Sequence, residues 1–236
     1  MIDIQIWDEE RKTRWRELLP LWHSFWDGEP ISSGVWSTAE DYTQGRTNLV
    51  YDRVVNGTLP IVVAYDTEKA KVAGFLWSCF IYSEDKKKKG SEKSNNGSFK
   101  FETYGFPKET LTRLTALREF MDKLTTMADV FNKFSVDEAW GLHTLSVSPD
   151  YGKKGIGTQL LAKGLELAKE SGVTLVTAEA TNRNSLHMLK KYFNFETVLE
   201  LSYAEHYGNY CYIPDDVKQL QPSASALVKR MIVARM

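Results

Sequence analysis

Leu145-Ser146-Val147-Ser148-Pro149-Asp150-Tyr151-Gly152-Lys153-Lys154-Gly155-Ile156-Gly157-Thr158-Gln159-Leu160-Leu161 decides how the rest of the chain is read. An apolar strand, Ala139 to Val147 (AWGLHTLSV), runs into a turn punctuated by Gly152, Gly155 and Gly157. An amphipathic helix, Gly157 to Ser171, begins at once. Such a turn aims several backbone N–H groups outward at the positive end of the helix dipole, which suits a phosphate. Lys153 and Lys154 add charge, and glycine lets a pyrophosphate approach the backbone. The segment is not a Walker loop, because GKKGIGTQ lacks the four-residue gap before Gly-Lys-Ser/Thr. It is also a poor dinucleotide fingerprint, which needs Gly-x-Gly-x-x-Gly and an acidic residue about 20 residues on. A tight strand-to-helix connection with surface lysines is the purely structural alternative.

Downstream, Gly172 closes the helix and Val173 to Ala180 (VTLVTAEA) predicts a buried strand. A helix Asn184 to Lys191 follows, then strands Glu196 to Tyr203 and Tyr207 to Ile213. The tail from Ser223 is a last helix or a strand edge. Upstream, Trp15, Leu18, Leu19, Trp22, Phe25 and Trp26 recur at helical spacing, with Pro20 forcing a kink or two pieces. Ser37-Thr38-Ala39-Glu40 has the pattern of a capping box for a second helix carrying Leu49, Val50, Val54 and Val55. Pro60 to Tyr65 and Lys71 to Tyr82 predict an antiparallel hairpin, and Pro107 to Phe134 a long helix. Residues 84 to 98 (EDKKKKGSEKSNNGS) have almost no apolar content and predict a flexible loop. With no repeat and no linker, residues 1–236 are expected to form one mixed α/β domain.

The 236 residues are 42% hydrophobic and 26% charged, ordinary globular values. Thirty Lys and Arg against 31 Asp and Glu leave a formal net charge of −1, which argues against a nucleic-acid partner. Two cysteines, Cys79 and Cys211, make neither a disulfide framework nor a metal site. The first residues lack a signal peptide's apolar stretch, and no run approaches the roughly 20 apolar residues of a membrane span. A cytoplasmic monomer without metal or membrane partner is the expectation.

The glycine turn resembles the acetyl-CoA-binding motif of the GNAT N-acetyltransferase superfamily, Arg/Gln-x-x-Gly-x-Gly/Ala after an aliphatic strand. It maps onto Gly152-Lys153-Lys154-Gly155-Ile156-Gly157, with Gly152 standing where Arg or Gln is usual. Ala178 to Ser185 and Tyr192 to Glu196 resemble the superfamily's next motif, Asn194 replacing a glycine. The resemblance covers roughly residues 140 to 200. It implies a single-domain GNAT fold whose mixed central sheet has a splayed strand pair holding acetyl-CoA as co-substrate. Leu145, Ser146 and Val147 would pair with the pantetheine arm, and the amides of Lys153, Lys154, Gly155, Ile156, Gly157 and Thr158 would take the pyrophosphate, with Gly152 adjoining. Asn182 and Ser185 would lie on the far side of the arm.

Phe25-Trp26-Asp27-Gly28-Glu29-Pro30-Ile31 resembles the Glu-Pro element of the insect-type arylalkylamine N-acetyltransferases, in which the Glu is a general base. Thr181 and Ser185 match the group's hydroxyl residues spaced four apart. The chemistry explains the need for a carboxylate. An alkylamine with a pKa of about 10.4 is almost wholly protonated at pH 7, at a cost of roughly 4–5 kcal/mol to the attacking form. A base must take that proton. Aromatic neighbours such as Phe25, Trp26 and Trp36 would raise the Glu29 pKa, and the Trp-rich N-terminus is expected to wall the pocket. Glu29 as a helix-terminating turn residue is the alternative. His143 is the runner-up base; alternation places it on one face with Leu145 and Val147, and a satisfied core histidine is its other explanation. Tyr192 is a candidate acid towards the leaving thiolate, or a packing residue, and Ser185 a candidate for positioning water or the thioester, or a helix cap.

The expected reaction is direct acetyl transfer to a small primary amine such as dopamine, tyramine or serotonin in a ternary complex. No cysteine lies near the motif to carry a covalent intermediate. Three rivals stand: a polyamine or agmatine acetyltransferase, favoured by a carboxylate-rich pocket (Asp27, Glu29, Glu40, Asp41); a protein N-terminal or lysine acetyltransferase, disfavoured because the sequence gives no sign of a peptide groove; and an acyl-CoA-binding sensor without catalysis, favoured by Gly152.

Overall fold

The computed structural model describes residues 1–29, 31–32, 35, 43–56, 60–84 and 101–231. Among them, strands β1 (Ile2–Trp7), β2 (Ile61–Asp66), β3 (Lys71–Tyr82), β4 (Glu138–Val147), β5 (Leu175–Ala180), β6 (Glu196–Ser202) and β7 (Ser223–Arg230) form one sheet in the order β1-β2-β3-β4-β5-β7-β6. Every neighbouring pair is antiparallel except β4 and β5, which run parallel. The main helices are α1 (Leu19–Gly28), α2 (Thr43–Tyr51), α3 (Lys108–Ala128), α4 (Ile156–Glu170) and α5 (Arg183–Phe193).

Strand β3 is buried on both faces, so its apolar run does not alternate. Phe75, Trp77 and Cys79 point into a core shared with Trp15, Trp22 and Trp26. Leu76 points the other way, into a core shared with Ile156, Leu160 and Leu161 of α4. A Cβ on Gly164 would lie 2.4 Å from Leu76 Cδ2, so α4 rides close to the sheet. A third cluster packs Phe120 and Leu124 of α3 against Leu201, Tyr203 and Ala226. Helices α1 and α3 thus cover one face and α4 and α5 the other.

The expected hairpin pairs from Ile61↔Trp77 to Asp66↔Lys71. The first helix breaks as Pro20 requires: a 3-10 turn, Trp15–Leu18, precedes α1, and Pro20 sits in the first turn of α1, where its missing N–H costs nothing. The long helix ends at Ala128, and Val130–Phe134 is a separate piece, because Asp129 adopts a left-handed conformation with φ 47°. Asn194 is likewise left-handed, with φ 54°.

Two expectations are corrected, and Ile2–Trp7, for which no element was expected, is an edge strand. Tyr207 to Ile213 is not a strand: Tyr203 and Tyr207 lie one helical turn apart and bury together against Phe120, and the chain coils through Tyr203–His206 and Tyr210–Tyr212. The tail is neither helix nor edge, since β7 inserts between β5 and β6 and buries Ala224 to Val228. The capping box at 37–40 and, beyond Glu84, the loop to 98 lie outside the described residues. Among the described residues, no helix is long and apolar enough to cross a membrane.

Gly74 of β3 faces the end of β4 so closely that a Cβ would stand 2.8 Å from the Ser146 carbonyl oxygen. Backbone cannot yield as a side-chain tip can, so Gly74→Val is expected to destabilise the fold by about 1–3 kcal/mol, read from urea unfolding.

Candidate active site

Strand β4 pairs with β5 only at Trp140↔Val176, Gly141↔Thr177 and Leu142↔Ala178. Beyond Leu142, β4 continues on β3 as far as Val147↔Gly74, while β5 stays on β7 as far as Ala180↔Ser225. The two strands therefore part, and one edge of β4 loses its ladder. A bulge sits at the parting point: Trp77 pairs with Thr144 and Ser78 with Leu142, so His143 is the extra residue. The cleft that opens is lined by Leu142 to Leu145 of β4, by Ala178 and Glu179 of β5, by Thr181 and Asn182, by Ser185, Met188 and Leu189 of α5, and by Phe25 and Glu29.

The turn after β4 is pinned from below. The Ser148 N–H donates to the Ala73 carbonyl at 2.9 Å, and the buried Tyr151 hydroxyl donates to Asp66 Oδ2 at 2.6 Å. Residues 152–155 are exposed, with Lys153 at φ 61° and Gly155 at φ 74°. No side chain caps α4, whose N-cap is Gly155. The Gln159 N–H is bonded to the Gly155 carbonyl, so the amides of Ile156, Gly157 and Thr158 precede the intrahelical ladder. A Cβ at Gly155 would meet nothing within 4 Å. One at Gly157 would lie 3.7 Å from Met188 Sδ and 3.8 Å from Leu145 Cδ2, both cleft residues, so this helix start abuts the cleft. An uncapped helix start with open space before it and two lysines beside it fits a pyrophosphate.

Glu29 follows α1 and is only 5% exposed. The helix is held to the sheet by the Ser146 hydroxyl, which donates to the Leu21 carbonyl at 3.1 Å. Beyond Glu29, the Tyr207 hydroxyl donates to the Ile31 carbonyl at 2.8 Å. Asn182 Nδ2 donates to Glu29 Oε2 at 3.1 Å, and Glu29 Oε1 is buried without a hydrogen-bond partner. Burial raises the Glu29 pKa from 4.5 to about 6, with Thr181 and Asn182 holding it lower than burial alone would. The carboxylate is therefore mostly ionised at neutral pH yet basic enough to take a proton.

His143 stands differently from its expected place. The bulge turns its ring toward Trp77 (centroids 5.1 Å apart) and puts Nε2 2.9 Å from Cys79 Sγ, on the α1 side. Leu145 and Val147 pack toward α4 on the opposite face. Burial, and then the Arg53 charge, lower the His143 pKa to about 4, so the ring is neutral at pH 7. Of the other expected residues, Leu145, Asn182 and Ser185 line the cleft with Glu29 and His143. Ser146 is buried and turned to α1, so any part it plays toward a ligand runs through its backbone. Tyr192 is 58% exposed, packs edge-on against His187, and does not line the cleft. The tryptophan wall is corrected: Trp15, Trp22 and Trp26 are core residues, and Phe25 is the aromatic residue of α1 that reaches the cleft. Trp36, Glu40 and Asp41 lie outside the described residues, and Asp27 is an exposed partner of Arg46 at 3.0 Å.

Sequence reasoning missed Glu179. It lines the cleft from β5, and burial raises its pKa from 4.5 to about 7. A lone acid inside the apolar VTLVTAEA was the available signal. Tyr203 was missed too; its hydroxyl donates to the Thr181 carbonyl at 2.8 Å, and burial and Glu29 raise its pKa.

Residues 112–195 match the sequence model of the acetyltransferase (GNAT) family. No curated protein sequence matches the chain. Among solved structures, a Drosophila melanogaster polyamine N-acetyltransferase, an enzyme that catalyses the formation of N-acetylagmatine, superposes with a TM-score of 0.70 at 16% identity, covering 98% of this chain and 100% of that one. A mosquito arylalkylamine N-acetyltransferase like 5b gives 0.65 at 19% identity, with 98% and 100% coverage. Arylalkylamine N-acetyltransferase 2 from Aedes aegypti gives 0.65 at 16%, with 98% and 99% coverage. The match to the GNAT model thus spans residues 112–195, and the chain has the fold of those acetyltransferases.

Gly155→Glu adds bulk and negative charge at the mouth of the helix start, whereas Gly155→Ala adds only the backbone strain of φ 74°. Calorimetric titration is expected to find acetyl-CoA bound at least about tenfold more weakly by the Glu variant than by the Ala variant.

Proposed function

We propose that this protein acetylates a small primary amine, in the first place an arylalkylamine such as dopamine, tyramine or serotonin, by direct transfer in a ternary complex. The observation that carries the reading is Glu29: a buried carboxylate in the cleft, with one oxygen held by Asn182 and the other without a partner. Acetyl-CoA supplies the acetyl group as a thioester. Its pyrophosphate is assigned to the amides from Lys153 to Thr158, and its pantetheine arm to the open edge of β4 at Leu145, Ser146 and Val147.

Glu29 accepts the surplus proton of the ammonium substrate, directly or through one water. The neutral nitrogen then forms a C–N bond to the acetyl carbon as the C–S bond breaks. Coenzyme A leaves as a thiolate and takes a proton, and the nitrogen loses its second proton to give a neutral amide. Phe25 offers the acceptor an aromatic surface in the cleft. Ser185, at the first turn of α5, is placed to hold the thioester or a water. His143 is not assigned the base role, because a ring titrating near 4 is too weakly basic to draw a proton from an ammonium group.

A second acceptor class is favoured by one specific feature. Glu179 puts another carboxylate on the cleft wall, two residues along the chain from Thr181. A second carboxylate in the same cleft as Glu29 suits an acceptor with a second cationic group, as in a polyamine or agmatine. Two solved structures of this fold are an agmatine N-acetyltransferase and a polyamine N-acetyltransferase.

An amine panel with acetyl-CoA, followed by thiol release, separates these readings. Turnover of tyramine, dopamine or serotonin above agmatine and spermidine supports the arylalkylamine reading; the reverse order transfers the assignment to diamines. No thiol release with any amine, despite acetyl-CoA binding, leaves a sensor. Glu29→Ala is expected to lower turnover by roughly 10²–10⁴-fold while acetyl-CoA still binds. In the unmodified protein kcat/KM should rise with pH through about 6, as Glu29 ionises.

A further inference from the structure

The side-chain amide of Asn182 is engaged at both ends. Asn182 is the N-cap of α5, with extended backbone, and its Oδ1 accepts the Ser185 N–H at 2.9 Å. That bond settles which end of the amide is oxygen. The NH₂ group must then face the other way, and it donates to Glu29 Oε2 at 3.1 Å. Glu29 comes from the end of α1, 153 residues earlier in the chain. Its carboxylate is thus fixed to the start of a helix on the far side of the cleft, and not to a free-swinging surface group. Oε1 is left buried and without a hydrogen-bond partner among the described residues.

We propose that Asn182 is a positioning residue for proton transfer from the amine: it occupies Oε2, fixes the carboxylate against the start of α5, and presents Oε1 as the atom that receives the proton. The inference rests on the reading of Glu29 as the base. It gives Asn182 a task separate from its expected place beside the cofactor arm. Two consequences follow from elementary electrostatics. A donor held on the ionised carboxylate favours that form, against the burial that disfavours it. Without it, a larger share of Glu29 would be protonated and idle near neutrality. A carboxylate with one oxygen committed also cannot rotate to satisfy both lone-pair sets on water, so the reactive oxygen keeps its direction. The polar groups close to Glu29 are Thr181, Asn182 and the Tyr203 phenol, while His143, Glu179 and Ser185 share the cleft. Of these, Thr181 and Asn182 are hydrogen-bonding partners of the carboxylate, and Asn182 is the one that also caps α5.

Asn182→Ser and Asn182→Asp both keep an N-cap oxygen for Ser185, so helix start and cofactor arm are disturbed least. Serine is too short to replace the donor to Glu29, and aspartate replaces it with a like charge. The readouts are the pH profile of kcat/KM, the Kd of acetyl-CoA and the melting temperature of the full chain. The acid limb, near pH 6 in the unmodified protein, is expected to move to higher pH, by about one unit or more for Asn182→Asp and by less for Asn182→Ser. Turnover should be lost at neutral pH and largely recovered at alkaline pH, with acetyl-CoA affinity held within about twofold. Asn182→Ser adds no charge and carries the test where the aspartate variant does not fold. Glu29→Gln runs beside them. Full activity in Glu29→Gln overturns the base reading and this inference with it. An inactive Glu29→Gln together with an unmoved limb in both Asn182 variants overturns the positioning role alone, and a weakened acetyl-CoA affinity with an unmoved limb makes Asn182 a cofactor contact only.

Discussion

The parting of β4 from β5 after Leu142 and Ala178 is the constraint on which the site depends. A parallel pair that continued to Val147 would close the sheet and leave no cleft. Each strand keeps its outer partner past the fork, β4 on β3 and β5 on β7, so the opening does not cost the sheet its stability. The bulge at His143 adds twist where the strands diverge. The same fork leaves an unpaired β4 edge and leads, through a turn anchored by Tyr151, to the uncapped start of α4. Backbone groups able to meet an extended ligand and its phosphates thus arise from one local departure from regular pairing.

Chemistry enters the fork from the chain's other half. Helix α1 is fastened to β4 by Ser146, and the residues after it are fastened by Tyr207, so Glu29 is delivered to the cleft by packing and not by loop flexibility. Burial raises the Glu29 pKa, and hydrogen bonds from Thr181 and Asn182 hold it lower than burial alone would, so the proposed base is mostly ionised near neutral pH. A base needs both conditions: a fully solvated carboxylate is too acidic to draw a proton from an ammonium group, and a fully unpaired buried one would stay protonated.

The glycine turn and the helix after it were legible because their signals are local. Glycines 152, 155 and 157 and the period of Leu160, Leu161 and Ala168 fall in one short stretch of chain. Glu29 was legible only through resemblance to a Glu-Pro element, since burial by residues 153 positions away leaves no mark nearby. The fate of β7 was hidden for a related reason: Ser223 to Arg230 is a modest apolar run, and its central place is set by two partner strands. Tyrosines misled at 207–213, where strand propensity gave way to burial of Tyr203 and Tyr207 against Phe120. His143 misled because strict alternation assumes a regular ladder, and a bulge breaks the count. Glu179 needed a sheet face to be known before its isolation in an apolar strand could mean anything.

A crystal structure with coenzyme A bound tests the fork most directly. The pyrophosphate should rest on the amides between Lys153 and Thr158, the pantetheine arm should lie along Leu145 to Val147 where β5 has turned away, and the thiol should end in the cleft on the Glu29 side. Coenzyme A bound elsewhere, or a β4 edge covered by the protein's own side chains, would contradict it.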